Sequence, residues 1–264
     1  MKIGVNGINI EYRDEGKGLP VIFLHAFPLN QRMWDEQVAA LSPICRAITV
    51  DLRGFGDSDV PPGPYWMALM ASDVRGLMSK LSIDRAVLVG LSMGGYVAMA
   101  FYRNFAESVR ALVLADTRAA ADTPEAHERR LKSAKRVEAE GIDSIIDEMS
   151  QVLLGATTQK ERPEVLAKVR RIAALNNPKG VAAAQLGMAA RPDSSEMLAS
   201  VKRRVLVIGG REDALSPPAV AEALQWRIQG SQLSIIERAG HLANLECPHE
   251  FNAALIGFIE YLNR

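Results

Sequence analysis

The sequence has few cysteines and no net charge. The chain of 264 residues has two cysteines, Cys45 and Cys247. A chain of this length can bury a large core without covalent cross-links, so we expect both thiols to be reduced and the protein to be cytoplasmic. Basic and acidic side chains balance, with 31 of each and a formal net charge of +0. This balance argues against nucleic acid or an anionic membrane as a partner.

The sequence also lacks long apolar runs, metal-ligand spacings and a phosphate-binding loop. No stretch reaches the length of a membrane span, and the N-terminus turns polar by Asn9 and Glu11, unlike a signal peptide. Neither the four histidines nor the cysteines show metal-ligand spacing. The glycines from residue 90 onward are not followed by the Lys-Ser/Thr pair of a phosphate loop. We therefore expect no metal, no cofactor and a small-molecule substrate, while monomer and homodimer both stay open.

Short apolar runs alternate with helical patterns along most of the chain. A hairpin is predicted around Asn6 and Gly7, between strands at 3–5 and 8–12. Later runs typical of strands covered on both faces lie at 21–24, 47–50, 86–89, 111–114, 205–208 and 233–236. Helices are predicted between them at 31–41, 67–81, 95–104, 217–228 and 248–261. This alternation predicts an α/β fold with a mostly parallel sheet and helices on both faces.

One stretch, residues 118–202, breaks this alternation. It has no convincing strand, and helices are predicted at 124–140, 142–154, 163–176 and 179–190. We interpret the many charges of the first of these helices as a solvated face with i,i+4 pairs rather than as a binding patch. The predicted organisation is a core of residues 1–117 and 203–264, with a helical cap of residues 118–202 inserted between two strands.

The sequence from residue 87 to residue 101 predicts a nucleophilic serine. An apolar strand runs into Gly-Leu-Ser-Met-Gly at residues 90–94, and a helix-forming run follows. This strand–turn–helix context is that of a nucleophile elbow, in which Ser92 occupies the tight turn. Gly90 and Gly94 allow the strand and the helix to approach closely. The alternative is a glycine-rich turn that only connects two elements.

A nucleophilic serine needs a base, and His241 is the best candidate among four histidines. It follows the predicted strand at 233–236 and so lies at the carboxyl end of the sheet, where ligands bind in such folds. His25 ends an early strand, His127 lies in the charged cap helix, and His249 is expected to face water in the first turn of a helix. The alternative for His241 is a loop histidine that only binds backbone groups.

The base needs an acid that fixes its tautomer. Asp213 directly follows the predicted strand at 205–208, and it gives the chain order Ser, Asp, His that this architecture uses. Asp116 is the rival because it also ends a strand. Glu212 is also a carboxylate, but adjacent side chains of an extended chain point to opposite sides, so we expect Glu212 to point away from the site that Asp213 faces.

Two backbone N–H groups are candidates for an oxyanion hole. One belongs to Met93, which follows the predicted nucleophile, and the other to Phe27 in the loop after an early strand. Phe27 is also a candidate substrate contact, together with Leu215 and Leu242, which flank the predicted acid and base. The alternatives are a packed aromatic for Phe27 and plain core packing for the two leucines.

Together these motifs resemble the α/β-hydrolase superfamily over nearly the full length of the chain. Residues 25–28 are similar to its His-Gly oxyanion loop, with Ala26 in place of the usual glycine. Residues 51–58 resemble its Asp-x-Arg-Gly-x-Gly-x-Ser loop, which implies that Asp51, Arg53 and Ser58 are structural. Residues 115–118 and 239–246 resemble those of bacterial carboxylesterases near the 3-oxoadipate enol-lactonases, and the insertion resembles the four-helix cap of the family.

The residues and the resemblance predict a serine hydrolase that cleaves a small carboxylic ester or lactone through an acyl-enzyme. Ser92 in place of an aspartate argues against haloalkane dehalogenases and epoxide hydrolases. A cofactor-free perhydrolase or haloperoxidase and a C–C bond hydrolase use the same triad and remain alternatives. The non-enzyme alternative is a ligand receptor that retains the triad and turns over slowly.

Overall fold

The apolar runs of the sequence become the strands of one eight-stranded sheet in a computed structural model that describes residues 1–263. The strands are β1 (Lys2–Val5), β2 (Ile8–Gly16), β3 (Pro20–Leu24), β4 (Arg46–Val50), β5 (Ala86–Leu91), β6 (Val109–Ala115), β7 (Arg204–Gly210) and β8 (Gln232–Ile236). Their spatial order is β1-β2-β4-β3-β5-β6-β7-β8. The pairs β1–β2 and β2–β4 are antiparallel, and every pair from β4 to β8 is parallel.

Helices occupy most of the connections between these strands. The α-helices are α1 (Asp35–Leu41), α2 (Met67–Lys80), α3 (Met93–Phe105), α4 (Pro124–Glu140), α5 (Ile142–Ser150), α6 (Ala156–Glu161), α7 (Pro163–Ala173), α8 (Pro178–Ala189), α9 (Ser195–Ala199), α10 (Pro218–Arg227), α11 (Ala243–Glu246) and α12 (Pro248–Leu262), with 3-10 turns at Gln31–Trp34 and Ala106–Ser108. The predicted fold class, a mostly parallel sheet with helices on both faces, is confirmed. No helix within residues 1–263 combines the length and the apolar character needed to cross a membrane.

The central strands carry apolar side chains on both faces because helices cover both faces. All residues from Val21 to Leu24 in β3 and from Val87 to Val89 in β5 have no exposed surface. A strand buried on both faces has no polar side to alternate with, which is why these runs are continuously apolar in the sequence. The sheet is therefore a rigid base for the loops at its carboxyl edge.

The predicted element boundaries differ from the observed ones mainly where helices are short. The sequence does not predict α6, α9 and α11, because helices of six, five and four residues span too few turns to show an apolar stripe. The helix predicted at 31–41 begins instead as a 3-10 turn, and the Asn30 side chain caps this turn by accepting a hydrogen bond from the Arg32 N–H at 3.1 Å. The helix predicted at 142–154 ends at Ser150.

Between β6 and β7 the chain forms six consecutive helices, α4 to α9. The first begins with Pro124, and the Thr123 side chain accepts a hydrogen bond from the Ala126 N–H as its N-terminal cap. In the same way Asn177 caps α8 by accepting from the Lys179 N–H. These capping residues explain why the starts of both helices can be predicted from the sequence.

A buried glutamate attaches the inserted helices to the loop that carries His241. Oε1 of Glu246 accepts hydrogen bonds from the N–H groups of Gly240 at 2.9 Å and Leu242 at 3.2 Å. Its Oε2 accepts one from the N–H of Gly155, just before α6, at 2.8 Å. Glu246 has no exposed surface, so these bonds are made away from water. One carboxylate thus fixes the backbone on both sides of His241 and the start of α6.

A second glutamate makes a similar contact from the neighbouring loop. Glu212 accepts hydrogen bonds from the Thr157 N–H at 2.8 Å and from the Thr157 hydroxyl at 2.5 Å. These bonds to the ionised form lower the pKa of the Glu212 carboxyl below its ordinary value. Arg162, at the end of α6, donates to the backbone carbonyl of Glu246. The segment around α6 is therefore held by both loops that follow β7 and β8.

His25, at the end of β3, has a structural role. Its ring is fully buried, with Nδ1 3.0 Å from the carbonyl oxygen of Ala26 and Nε2 accepting a hydrogen bond from the Leu52 N–H at 3.1 Å. Burial, only partly offset by the Ala26 contact, lowers the pKa of His25 to about 4. An acceptor at Nε2 and a low pKa both describe a neutral imidazole that joins two loops.

Replacing Glu246 by glutamine is expected to lower the free energy of unfolding by about 2 kcal/mol, because an amide cannot serve all three buried N–H donors. Urea unfolding followed by circular dichroism measures the change. Glu260→Gln is the matched control, since Glu260 is exposed on α12. We expect that control to shift stability by less than about 0.5 kcal/mol. Equal unfolding midpoints for the two variants would contradict the structural role of Glu246.

His25 is expected to make stability fall as pH decreases. Its pKa is lower in the folded state, so its contribution is complete above the unfolded value of about 6.5 and is lost as pH falls toward about 4. The loss amounts to up to about 3 kcal/mol. Urea unfolding at about pH 7 and about pH 4.5 should show a smaller decrease for His25→Gln than for wild type. The exposed His249, changed to glutamine, should behave as wild type; an unaltered decrease in His25→Gln would refute this account.

Candidate active site

Ser92 occupies a sharp turn between β5 and α3. Its backbone has φ 54° and ψ −112°, in the positive-φ region that a residue with a side chain rarely adopts. Two hydrogen bonds hold this conformation: the Ser92 N–H donates to the Ala115 carbonyl at 2.9 Å, and the Thr117 hydroxyl donates to the Ser92 carbonyl at 2.8 Å. Such strain persists only where neighbouring groups fix it, which is typical of functional sites.

The glycines that follow Ser92 allow the turn to pack closely on its neighbours. A Cβ atom at Gly95 would lie 2.5 Å from the Thr117 hydroxyl oxygen, and one at Gly94 would lie 3.0 Å from the His25 carbonyl oxygen. A larger residue at Gly95 would displace the Thr117 hydroxyl that fixes Ser92, and one at Gly94 would clash with the backbone at the end of β3. The first turn of α3 is thereby pressed against the loop after β3, where the second predicted oxyanion donor lies.

Ser92, His241 and Asp213 lie in one chain of hydrogen bonds. Oγ of Ser92 is 2.8 Å from Nε2 of His241, and Nδ1 of the same ring is 2.8 Å from Oδ2 of Asp213. The other carboxylate oxygen of Asp213 accepts from the N–H groups of Leu215 and Ser216, both at 2.8 Å. Asp213 and His241 are each 3% exposed. The structure brings the three predicted residues together, with the carboxylate fixed by backbone donors.

The rival acid Asp116 lies close by and does not contact His241. Its Oδ1 accepts a hydrogen bond from the Gly210 N–H at 2.8 Å, and its Oδ2 is buried without a partner in residues 1–263. Burial, reinforced by repulsion from Asp213, raises the pKa of Asp116 well above its usual range. Because Asp116 makes no hydrogen bond to the ring, it cannot fix the tautomer of His241, whereas Asp213 can. Glu212, the other alternative, points to Thr157 instead.

Two backbone donors border Ser92. Met93 is the first residue of α3, and Phe27 lines the same cavity as Ser92. Neither N–H group donates a hydrogen bond within the described part of the chain, as expected of the first N–H groups of a helix and of an oxyanion donor. Ala26, which stands in place of the family's usual glycine, is fully buried, and its N–H donates to Sδ of Met33 at 3.2 Å.

Ser92 and His241 open onto a cavity of about 450 Å³ between the sheet and the inserted helices. One side of it is lined by Tyr96 from α3 and, from the loops after the strands, by Phe27, Ser92, Ala214, Leu215, Ser216 and His241. From the chain between β6 and β7 it is lined by Arg118, Asp122, Ala126, Arg129, Arg130, Ser133, Glu148, Met149, Val152, Gln185 and Met188. Such a volume suits a small organic molecule.

The two predicted pocket leucines have different positions. Leu215 lines the cavity, as does Phe27. The prediction for Leu242 is wrong: its side chain has no exposed surface and packs into the hydrophobic core instead of the cavity. Because Leu242 immediately follows His241, the backbone turn that presents the histidine directs the next side chain inward.

The sequence prediction missed the charged residues of the cavity wall. Arg129 and Arg130 were interpreted as part of a solvated face, yet both line the cavity. Ala126, Arg129, Arg130 and Ser133 share one face of α4, because residues three, four and seven positions apart align on a helix. That spacing is the signal in the sequence that could have identified them.

The loop at residues 51–58 is structural, in keeping with the family resemblance. Asp51 accepts hydrogen bonds from the Gln31 N–H at 2.8 Å and from the Asp57 N–H at 3.0 Å, and the Ser58 hydroxyl donates to the Asp51 carbonyl at 2.6 Å. Arg53 pairs with the buried Asp73 at 2.5 Å. None of these groups lines the cavity of Ser92 in the described residues.

The remaining histidines and the two cysteines form no second candidate site among the described residues. Within residues 1–263 no group of three or more His, Cys, Asp or Glu side chains is arranged to hold a metal ion. Cys45 is buried and Cys247 half-buried, and the two are not bonded to each other. His127 and His249 lie on the surface, away from Ser92.

Solved structures of known proteins resemble this one closely. A malate-bound thermophilic esterase from Thermogutta terrifontis superimposes with a TM-score of 0.97, at 42% sequence identity over 100% of this chain and 99% of that chain. The enol-lactonase from Burkholderia xenovorans has a TM-score of 0.91 and 30% identity, with 98% of this chain and 100% of that chain covered.

Sequence comparisons agree with these structural similarities. The 3-oxoadipate enol-lactonase 2 of Acinetobacter baylyi is 28% identical over 243 residues, which cover 92% of this chain and 89% of that protein. The family described as the alpha/beta hydrolase family matches residues 21–254. This match spans most of the sheet, the turn at Ser92 and the loops of Asp213 and His241, so the chain belongs to the alpha/beta hydrolase family.

Proposed function

We propose that the protein is a serine hydrolase that cleaves a small carboxylic ester or lactone, with Ser92, His241 and Asp213 as its catalytic triad. The observation that carries this proposal is the unbroken chain of 2.8 Å hydrogen bonds from the Ser92 hydroxyl to the Asp213 carboxylate, at the mouth of a cavity. The similar esterase and enol-lactonases support hydrolysis of a carboxylic ester bond.

The proposed reaction begins when Ser92 Oγ attacks the substrate carbonyl and its proton moves to Nε2 of His241. Asp213 keeps the Nδ1–H tautomer and stabilises the imidazolium that forms. The N–H groups of Phe27 and Met93 stabilise the developing oxyanion, helped by the N-terminus of α3. When the tetrahedral intermediate collapses, the imidazolium protonates the leaving alkoxide and Ser92 carries the acyl group.

Water then completes the cycle. His241 removes a proton from a water molecule, which attacks the acyl carbonyl, and the same two N–H groups stabilise the second oxyanion. Collapse of that intermediate releases a carboxylic acid and returns the proton to Ser92. Leu215 and Phe27 provide apolar surface beside this reaction in the cavity.

We further propose that residues 118–202 act as a cap on a core of residues 1–117 and 203–264. Its helices supply one wall of the cavity, whereas the loops after the strands hold the triad. The anchoring of Gly155 and Thr157 by Glu246 and Glu212 makes the segment around α6 a fixed part of this wall. In this proposal the side chains of α4, α5 and α8 determine which substrates fit the cavity.

A phosphonate ester is expected to label wild type at Ser92 alone, because only this hydroxyl is bonded to a histidine base. Ser92→Ala should not be labelled, and its kcat for a short-chain aryl ester should fall on the order of 10⁶-fold. Ser216→Ala is the matched control, because Ser216 lines the same cavity without a partner for its hydroxyl. Substantial activity in a folded Ser92→Ala variant would exclude the mechanism.

Asp213→Asn is expected to reduce kcat by roughly 10⁴-fold, because an amide favours the wrong tautomer of His241. Asp116→Asn should change kcat by less than about tenfold, since Asp116 does not contact the ring and an amide oxygen can still accept from Gly210. Steady-state kinetics of both variants on one aryl ester measures the difference. The assignment of the acid would be reversed if Asp116→Asn were the more damaging change.

A further inference from the structure

The cavity beside Ser92 has an excess of positive charge on its cap wall. Three arginines line it: Arg118, which follows the end of β6, and Arg129 and Arg130 on α4. Arg118 is half-buried and Arg129 is exposed at the rim. Among residues 1–263 neither of these two guanidinium groups forms an ion pair within 4 Å or a hydrogen bond with a protein acceptor.

The carboxylates of the cavity are already neutralised by other arginines. Asp122 lies between Arg130, at 2.6 Å, and Arg191, at 2.8 Å. Burial by itself raises the pKa of Asp122, but the two arginines outweigh it, so that its pKa lies below the ordinary value. Glu148 pairs with Arg136. Arg118 and Arg129 therefore have no carboxylate in direct contact, and the acidic group that acts on Arg129 is the exposed Glu125, one turn earlier on α4.

The surroundings favour an anion as the missing partner. The guanidinium of Arg191 stacks over the ring of Tyr96, 4.2 Å from the ring centroid. This packing holds the Arg191 side chain in its ion pair with Asp122. Apolar side chains of the same cavity, including Met149 and Met188, lower the local dielectric. Coulomb attraction between a guanidinium and a bound carboxylate is stronger there than in bulk water.

We propose that Arg118 and Arg129 form a subsite for a carboxylate carried by the substrate away from the scissile bond. The preferred substrate is then a half-ester of a short dicarboxylic acid. This assignment deepens the proposed function, because it rests on Ser92 as the nucleophile of the same cavity. It also revises the interpretation of the charged face of α4 as merely solvated.

The test compares an anionic with a neutral ester of the same chain length. The ratio of kcat/KM for monoethyl glutarate to that for diethyl glutarate is measured for wild type, Arg118→Gln, Arg129→Gln and the double variant. We expect the ratio to fall about tenfold or more in the double variant, mainly through KM for the half-ester, because a charge-assisted hydrogen bond is lost. Arg118→Lys retains the positive charge, so its ratio should lie between that of wild type and that of Arg118→Gln.

Arg171→Gln is the matched control, since Arg171 is exposed on α7 and does not line the cavity. Its ratio should equal that of wild type. Added sodium chloride should lower the ratio of wild type and leave that of the double variant unchanged, because salt screens the exposed Arg129. A double variant with the ratio of wild type would overturn the subsite.

A binding measurement separates this proposal from the proposed function. Calorimetry measures the affinity of glutarate for Ser92→Ala and for the same variant carrying Arg118→Gln and Arg129→Gln. A loss of about tenfold or more supports the subsite even if no ester is hydrolysed, whereas equal affinities refute it. Failure of wild type to react with a phosphonate would refute the proposed function alone.

Discussion

Three backbone N–H groups from two distant parts of the chain converge on the carboxylate of Glu246. The N–H groups of Gly240 and Leu242 fix the loop of His241, and that of Gly155 begins α6. A buried carboxylate costs much free energy unless donors surround it, so this contact strongly favours one arrangement of the His241 loop relative to α6. The hydrogen bonds of His241 to Ser92 and Asp213 depend on that arrangement, because they join loops from three different strands.

The meeting of Ser92, His241 and Asp213 could be predicted from the sequence because the topology brings them together. In a parallel sheet the carboxyl ends of β5, β7 and β8 lie at one edge, so residues just after these strands meet. Ser92 also has a local signature, since its positive φ and close packing require glycines nearby. Asp213 was separable from Asp116 by chain order alone, and the structure adds that Asp116 bonds to Gly210 instead of to the histidine.

The residues that line the cavity could not be predicted as completely. Leu242 was expected there from its place beside His241, but the direction of a side chain in a loop depends on a backbone turn that sequence spacing does not define. Arg129 and Arg130 lie on a helix whose charges suit solvent equally well. The packing of α4 against α8 and α5 decides which of its faces meets the cavity. The anchoring of α6 by Glu212 and Glu246 is likewise a long-range pairing without a local pattern.

The arginines of the cavity wall also bear on how a turnover ends. In the proposed reaction, hydrolysis converts an uncharged ester group beside Ser92 into a carboxylate. A cavity whose wall carries unneutralised guanidinium groups therefore attracts the acid product more strongly than the ester from which it came. For the proposed reaction, high ionic strength is expected to weaken this attraction and so to favour release of the acid.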